Sequence, residues 1–186
     1  MRRCSWAEAD PILQKYHDEE WGCPVYEDEV HFEALSMEVM QCGLSWLTVL
    51  RKRDAMRLAF SFFSPEAVAE YDDADVQRII RCDGVIRSER KIRVVISNAK
   101  AFLRVKEEWG TFSSYIWSFT DGKVMRYPSH AAGTETVSHN ELSDLISADL
   151  KSRGFSFLGS VTVYSYLQSV GIINDHLSYC FRSQDP

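Results

Sequence analysis

Apolar residues along this chain return every three or four positions and almost never alternate, which confines it to helices. In "DEVHFEALSMEVMQC" Phe32, Leu35, Val39 and Cys42 form one stripe of an amphipathic helix, and Gly43 is placed to end or bend it. "LSWLTVLRKRDAMRLAFSFF" reads as the next helix. Asp72 or Asp73 can cap "ADVQRIIR", with Val76, Ile79 and Ile80 inward. "SERKIRVVISNAKAFLRVKEEW" is a long helix with Ile92, Val95, Ile96, Ala99, Phe102 and Leu103 facing the core. "SHNE" at 138–141 has capping-box spacing before "LSDLISADLKSR", and Gly154 can stop that helix. Ser160 can start "VTVYSYLQSV", stopped by Gly171, while "YPSHAAGTET" at 127–136 reads as an exposed loop. The expected class is all-α, with helices around one core.

At 186 residues the chain fits a single domain over 1–186. No run of about 18 apolar residues exists, so a membrane span is not expected. "MRRCSWAEADP" has two arginines but no apolar stretch behind them, which argues against a signal peptide and for a cytoplasmic location. In that reducing compartment five cysteines, an odd count, read as thiols or metal ligands.

The net charge of −6 weighs against a nucleic-acid partner, but its distribution softens that. Residues 18–38 carry acids and no lysine or arginine; residues 87–106 carry seven basic side chains against the single acid Glu89. Arg51, Lys52 and Arg53 add a second basic cluster. A basic face on an acidic protein is compatible with DNA, as it is with plain solvated helix faces.

His176 and Cys180, in "NDHLSYC", stand at i and i+4, on one face of any helical turn. Cys4 and His17, in "CSWAEADPILQKYH", offer two more zinc-type ligands at the other end. No zinc-finger spacing fits, and a buried thiol beside a hydrogen-bonded histidine is the plainer alternative. A Cys₂His₂ zinc would tie together two chain ends that otherwise fray.

"VQRIIRCDGVIRSERKI" reads as helix, tight turn at Gly84, helix. Such a hairpin offers backbone N–H groups to a phosphate, with Arg87, Arg90 and Lys91 following; it is equally a common packing unit. In the N-terminal third, Glu38 lies at the edge of the apolar stripe, either an exposed flank residue or an acceptor facing a pocket. Trp6, Tyr16, Trp21 and Trp46 surround it in sequence, as core or as ligand platform.

Taken together, "RCSW", "DPILQKYHDEEWG", "CGLSWLTVLRKR", "DGVIRSERKI", "RGFSFLGSVTVYSYLQSVGIINDH" and the closing cysteine resemble the 3-methyladenine DNA glycosylase I family over nearly the whole chain. The resemblance implies a helix–hairpin–helix fold of two helical lobes, with termini joined by one structural zinc on Cys4, His17, His176 and Cys180. It implies a monomer acting on double-stranded alkylated DNA and releasing free 3-methyladenine. Glu38 takes the carboxylate role, Trp46 the stacking wall and Tyr16 a second contact, with Trp6 and Trp21 lining the pocket. Gly43 and Leu44 would approach the gap left by the flipped nucleotide, Leu44 as an apolar wedge or simply as a core leucine. Val39, Met40 and Cys42 depart from the family pattern, and Met40 bears on pocket shape.

The implied chemistry is simple. A 3-methylated adenine attached to sugar is cationic and leaves readily, so the enzyme must extract and hold it. Aromatic faces attract a flat cation, and a carboxylate accepts charge-assisted hydrogen bonds from its amine. Residues 92–106 contain no Asp or Glu, so no general base is named. The rival readings are a non-enzymatic module that binds damaged DNA and a zinc-stabilised protein-interaction domain.

Overall fold

The computed structural model describes residues 1–127, 132 and 137–184. Among them the regular elements are helical: α1 (Pro11–Glu19), α2 (Asp28–Gln41), α3 (Trp46–Ala59), α4 (Pro65–Ala69), α5 (Asp73–Arg81), α6 (Glu89–Trp109), α7 (Phe112–Ser118), α8 (Glu141–Ser152) and α9 (Ser160–Ser169). Short 3-10 helices occupy Ser5–Ala9 and Ser61–Phe63. The only extended pairing among the described residues is an isolated bridge between Met125 and Ile173. The all-α expectation holds. The loop expected over 127–136 falls outside the described residues except at Tyr127 and Ala132.

α2 runs through the middle of the molecule, packed against α3, α6, α7 and α9. Six consecutive residues, Leu35 to Met40, are therefore buried, well beyond the single stripe of the sequence pattern. α6 lays Ile92, Val95, Ala99 and Phe102 into the same core, where Phe102 stacks on Phe112 at 4.1 Å.

Three local expectations are corrected. α3 stops at Ala59 instead of continuing through Phe63: Ser61, Phe62 and Phe63 turn left-handed, with φ near 50–55°. Left-handed backbone costs about 1–2 kcal/mol per residue, and it is offset here by burying Phe63 in a stack with Phe60 at 5.3 Å. α8 is capped by Asn140, not Ser138. Asn140 Oδ1 accepts from Ser143 N at 3.0 Å and Ser143 Oγ accepts from Asn140 N at 2.9 Å. This register sets Glu141 at the first helical position, beside the positive end of the helix dipole. Finally, His176 and Cys180 do not share a helical face, because 174–177 is irregular and 178–184 a run of turns.

Two glycines bring elements closer than a side chain allows. A Cβ on Gly171 (φ +69°) would lie 2.3–2.5 Å from the backbone of Cys23 and Pro24. That contact docks the segment after α1 onto the end of α9, where Gly22 N donates to Gln168 O and Val25 N to Val170 O. Gly84 (φ +81°) turns the α5–α6 hairpin with its Cα against Ala55 of α3; an added Cβ would meet the Ala55 Cβ at 2.9 Å.

Candidate functional site

The two ends of the described chain meet. Phe181 N donates to Arg2 O at 2.9 Å, and Leu177 N reaches Cys4 Sγ at 3.4 Å. The ligand atoms of Cys4, His17, His176 and Cys180 all lie within 4.8 Å of one another, and all four residues are buried. Cys180 Sγ is 3.4 Å from His17 Nε2 and 3.6 Å from His176 Nδ1, which is itself 3.7 Å from Cys4 Sγ. The outer nitrogen of each ring is occupied. His17 Nδ1 pairs with Asp18 Oδ1 at 2.8 Å, and His176 Nε2 with Trp21 O at 3.2 Å. Such partners fix tautomer and ring orientation so that the inner nitrogens face the centre. Arg3 holds Asp18 in turn, at 2.8 Å. Burial pushes the Cys4 thiol up to about 12, a penalty on the thiolate that a bound divalent cation reverses. Two thiolates and two imidazoles around one point can hold a metal ion.

Through Cys4 this cluster borders a cavity of about 600 Å³, lined also by Trp6, Tyr16, Trp21, Glu38 and Trp46 among others. The aromatic rings are built outward from the cluster. Trp21 meets His176 edge-on at 4.6 Å, Trp6 meets His17 at 5.4 Å, and Trp6 meets Trp21 at 5.1 Å. Tyr16 and Trp46 tilt against each other at 5.4 Å, too close to admit a flat ring between them, so a planar ligand stacks on an outer face.

Glu38 is no solvated flank. It is 4 % exposed on α2, and its Oε2 has no hydrogen-bond partner. Burial pushes its carboxyl up to about 8. The Trp46 indole Nε1 is also buried without a partner. Glu38 and Trp46, each carrying an unpartnered buried polar atom, thus line one cavity together with other aromatic rings. A buried polar atom left unpaired costs about 1–3 kcal/mol, so this surface is suited to a flat heteroaromatic ligand bearing amine donors. The same cavity reaches Gln41 of α2, Ser165 and Gln168 of α9, and Asp175. Sequence reasoning missed these four. Asp175 accepts from Gln168 at 2.8 Å and from Tyr164, an arrangement that only the packing of 174–177 onto α9 creates.

The residues expected to meet DNA are spread over two neighbouring turns. Gly43 (φ +80°) and Leu44 follow α2; Leu44 is 40 % exposed, which removes the core-leucine alternative. Across from them lies the hairpin with Gly84. Arg87 is exposed and pairs with Asp83 at 2.9 Å, and Arg90 lies over the Phe157 ring at 4.6 Å. Lys91 departs from its expected place: its ammonium is turned inward onto backbone carbonyls of α2's end. The second basic cluster is likewise spent internally. Arg51 pairs with Asp10, Arg53 with Glu20 and Glu33, and Lys52 donates to Gly84 O.

Fold and site together define a helical protein whose termini are clasped at a Cys₂His₂ cluster beside an aromatic, carboxylate-bearing cavity and a helical hairpin. The chain belongs to the methyladenine glycosylase family, whose model matches residues 6–183. It is 39% identical over 183 residues to DNA-3-methyladenine glycosylase 1 of Escherichia coli (strain K12), covering 97% of this chain and 96% of that protein. It is also similar to the structure of 3-methyladenine DNA glycosylase I from Staphylococcus aureus that describes 3-methyladenine recognition: 32% identity, TM-score 0.94, covering 100% of this chain and 98% of that one. A Tyr→Phe variant of a 3-methyladenine DNA glycosylase I, in complex with 3-methyladenine, matches with 32% identity and a TM-score of 0.93 over 100% and 99% of the two chains.

Proposed function

We propose that this chain is a DNA glycosylase that flips 3-methyladenine out of alkylated double-stranded DNA and hydrolyses its N-glycosidic bond, leaving an abasic site. One observation carries the reading: the buried, unpartnered carboxylate of Glu38 in an aromatic cavity large enough for a purine. In this account Glu38 accepts from the exocyclic amine, Trp46 supplies the stacking face, and Tyr16, Trp6 and Trp21 shape the pocket. The lesion is cationic in DNA, and Glu38 becomes its counter-ion once the base is bound. As the bond between base and C1′ breaks, its electron pair neutralises the leaving base. Water then adds to C1′ and releases its proton to solvent. Ordinary adenine is neutral on the sugar, so it gains less from Glu38 and leaves more slowly.

The metal we assign is zinc, one per chain, with a structural role. Two thiolates and two imidazoles suit it and give a net neutral site, which can be buried beside the tryptophans. Gly43, Leu44 and Gly84 approach the duplex, Leu44 as the wedge that fills the gap, with Arg87 and Arg90 on its backbone. The whole chain acts as one monomeric domain. No helix among the described residues is long and apolar enough to cross a membrane, and a cytoplasmic site of action suits the chemistry of a DNA-repair enzyme.

Incubation of the purified protein with methylated duplex DNA and chromatography of the small-molecule products tests the reading. Release of 3-methyladenine in excess of the protein is expected. Retention of damaged DNA without release would make this a binding module, and no retention at low salt would leave a protein-interaction domain.

A further inference from the structure

Lys91 occupies the third position of α6, directly after the hairpin, where a phosphate contact is the natural expectation. Its Nζ instead donates to Met40 O at 2.9 Å and to Cys42 O at 2.6 Å. These carbonyls lie in the last turn of α2, two and four residues beyond Glu38. We propose that Lys91 is a positioning residue: it clamps the C-terminal end of α2 to the hairpin, holding Glu38 and Leu44 in register with the DNA backbone. The inference rests on the glycosylase reading above.

Helix ends leave carbonyls without intrahelical donors, and at α2 each one accounted for has a particular partner. Glu38 O receives the Cys42 thiol at 3.6 Å, and Gln41 O receives Leu44 N at 2.6 Å. Met40 O and Cys42 O depend on Lys91. Met40 is fully buried, so few other donors can reach that carbonyl. An ammonium is the strongest donor available and also opposes the negative end of the α2 dipole. The hairpin is tied from the other side too, since Lys52 of α3 donates to Gly84 O at 3.2 Å. Two lysines therefore join the hairpin to both flanks of the 42–45 turn, which carries the wedge and leads into Trp46. Loss of Lys91 frees the end of α2 while leaving the phosphate-facing surface of the hairpin in place. Misplacement of catalytic groups by about 1 Å costs up to about a hundredfold in rate.

The test compares wild type, Lys91→Met and Lys91→Arg by two readouts, at a temperature where thermal melting shows each variant folded. The first is single-turnover release of 3-methyladenine at saturating methylated duplex; the second is the salt dependence of binding to undamaged duplex. Lys91→Met is expected to slow release about ten- to a hundredfold, with duplex affinity and salt slope as in wild type. Lys91→Arg, whose guanidinium still offers several donors, is expected to recover most of the rate. If Lys91→Met does not fold, Lys91→Gln, which is uncharged but keeps an amide donor, takes its place: slowed release with an unchanged salt slope supports the clamp. A slope lowered by about one unit in Lys91→Met or Lys91→Gln would place Lys91 on a phosphate and overturn the proposal, as would an unchanged release rate in the folded uncharged variant. Failure of wild type itself to release base would count against the glycosylase reading, while the salt slope would still test whether Lys91 meets phosphate.

Discussion

Trp21 packs edge-on against His176, ring centroids 4.6 Å apart, and it lines the same cavity as Glu38. The clasp at the chain ends and the base pocket therefore share a wall. Metal removal is expected to act on both. Chelation, or Cys180→Ala, should lower the melting temperature and weaken binding of free 3-methyladenine, although Cys180 does not line the cavity. Elemental analysis should find one zinc per chain in protein purified without chelator. Zinc-free protein with full stability and full base affinity would refute the clasp.

Glu38 is expected to make stability and activity respond to pH in opposite senses. Its carboxyl is raised from the ordinary 4.5 to about 8 by burial. Between those values the folded chain holds a proton that the unfolded chain has lost, so stability falls as pH rises through that window. Release of the cationic base should instead quicken toward about pH 8, because the ionised carboxylate is the form that holds a cation. In Glu38→Gln both dependences should flatten, as read by melting temperature and single-turnover rate across the window. A parallel dependence in the variant would assign it to other groups.

Arg87 and Arg90 flank the hairpin and are exposed, Arg87 paired with Asp83 and Arg90 over the Phe157 ring. Replacing both by Met should weaken damaged and undamaged duplex alike and reduce the log–log salt slope by somewhat less than about two units. Filter binding over a salt series reads this directly. An unchanged slope would move the DNA face elsewhere.

The helix periods were legible in the sequence, and so was a cap at Asp72 or Asp73, which is Asp72 in the structure, because both depend on neighbours within one turn. The same holds for Gly43, Gly84 and Gly171, whose positive φ follows from local chain reversal. The left-handed turn at Phe62 was not legible, since it is offset in part by the burial of Phe63 against Phe60, a packing contact that no local pattern announces. Glu38 shows the limit most clearly. One stripe of apolar residues suggests one buried face, whereas α2 has neighbours on several sides, and burial there comes from helices distant in sequence. Lys91 is a second case: its motif fits a phosphate contact, but α2's carbonyls are closer. The four Cys and His residues were readable from the two chain ends as a candidate Cys₂His₂ set, but their spacing matches no local metal motif, so the resemblance and then the fold were needed to favour it over a buried thiol beside a hydrogen-bonded histidine.

Titration of free 3-methyladenine into wild type, Glu38→Gln and Trp46→Ala, with undamaged duplex as control, tests the account most directly. Glu38→Gln keeps the shape but exchanges a carboxylate oxygen for an amide donor, and should cost roughly 1.5–3 kcal/mol, about ten- to a hundredfold in affinity. Trp46→Ala should cost roughly 1–3 kcal/mol by removing the stacking face. Duplex binding should stay unchanged in both. Equal affinities for 3-methyladenine in wild type and Glu38→Gln would contradict the claim that the buried carboxylate reads the flipped base.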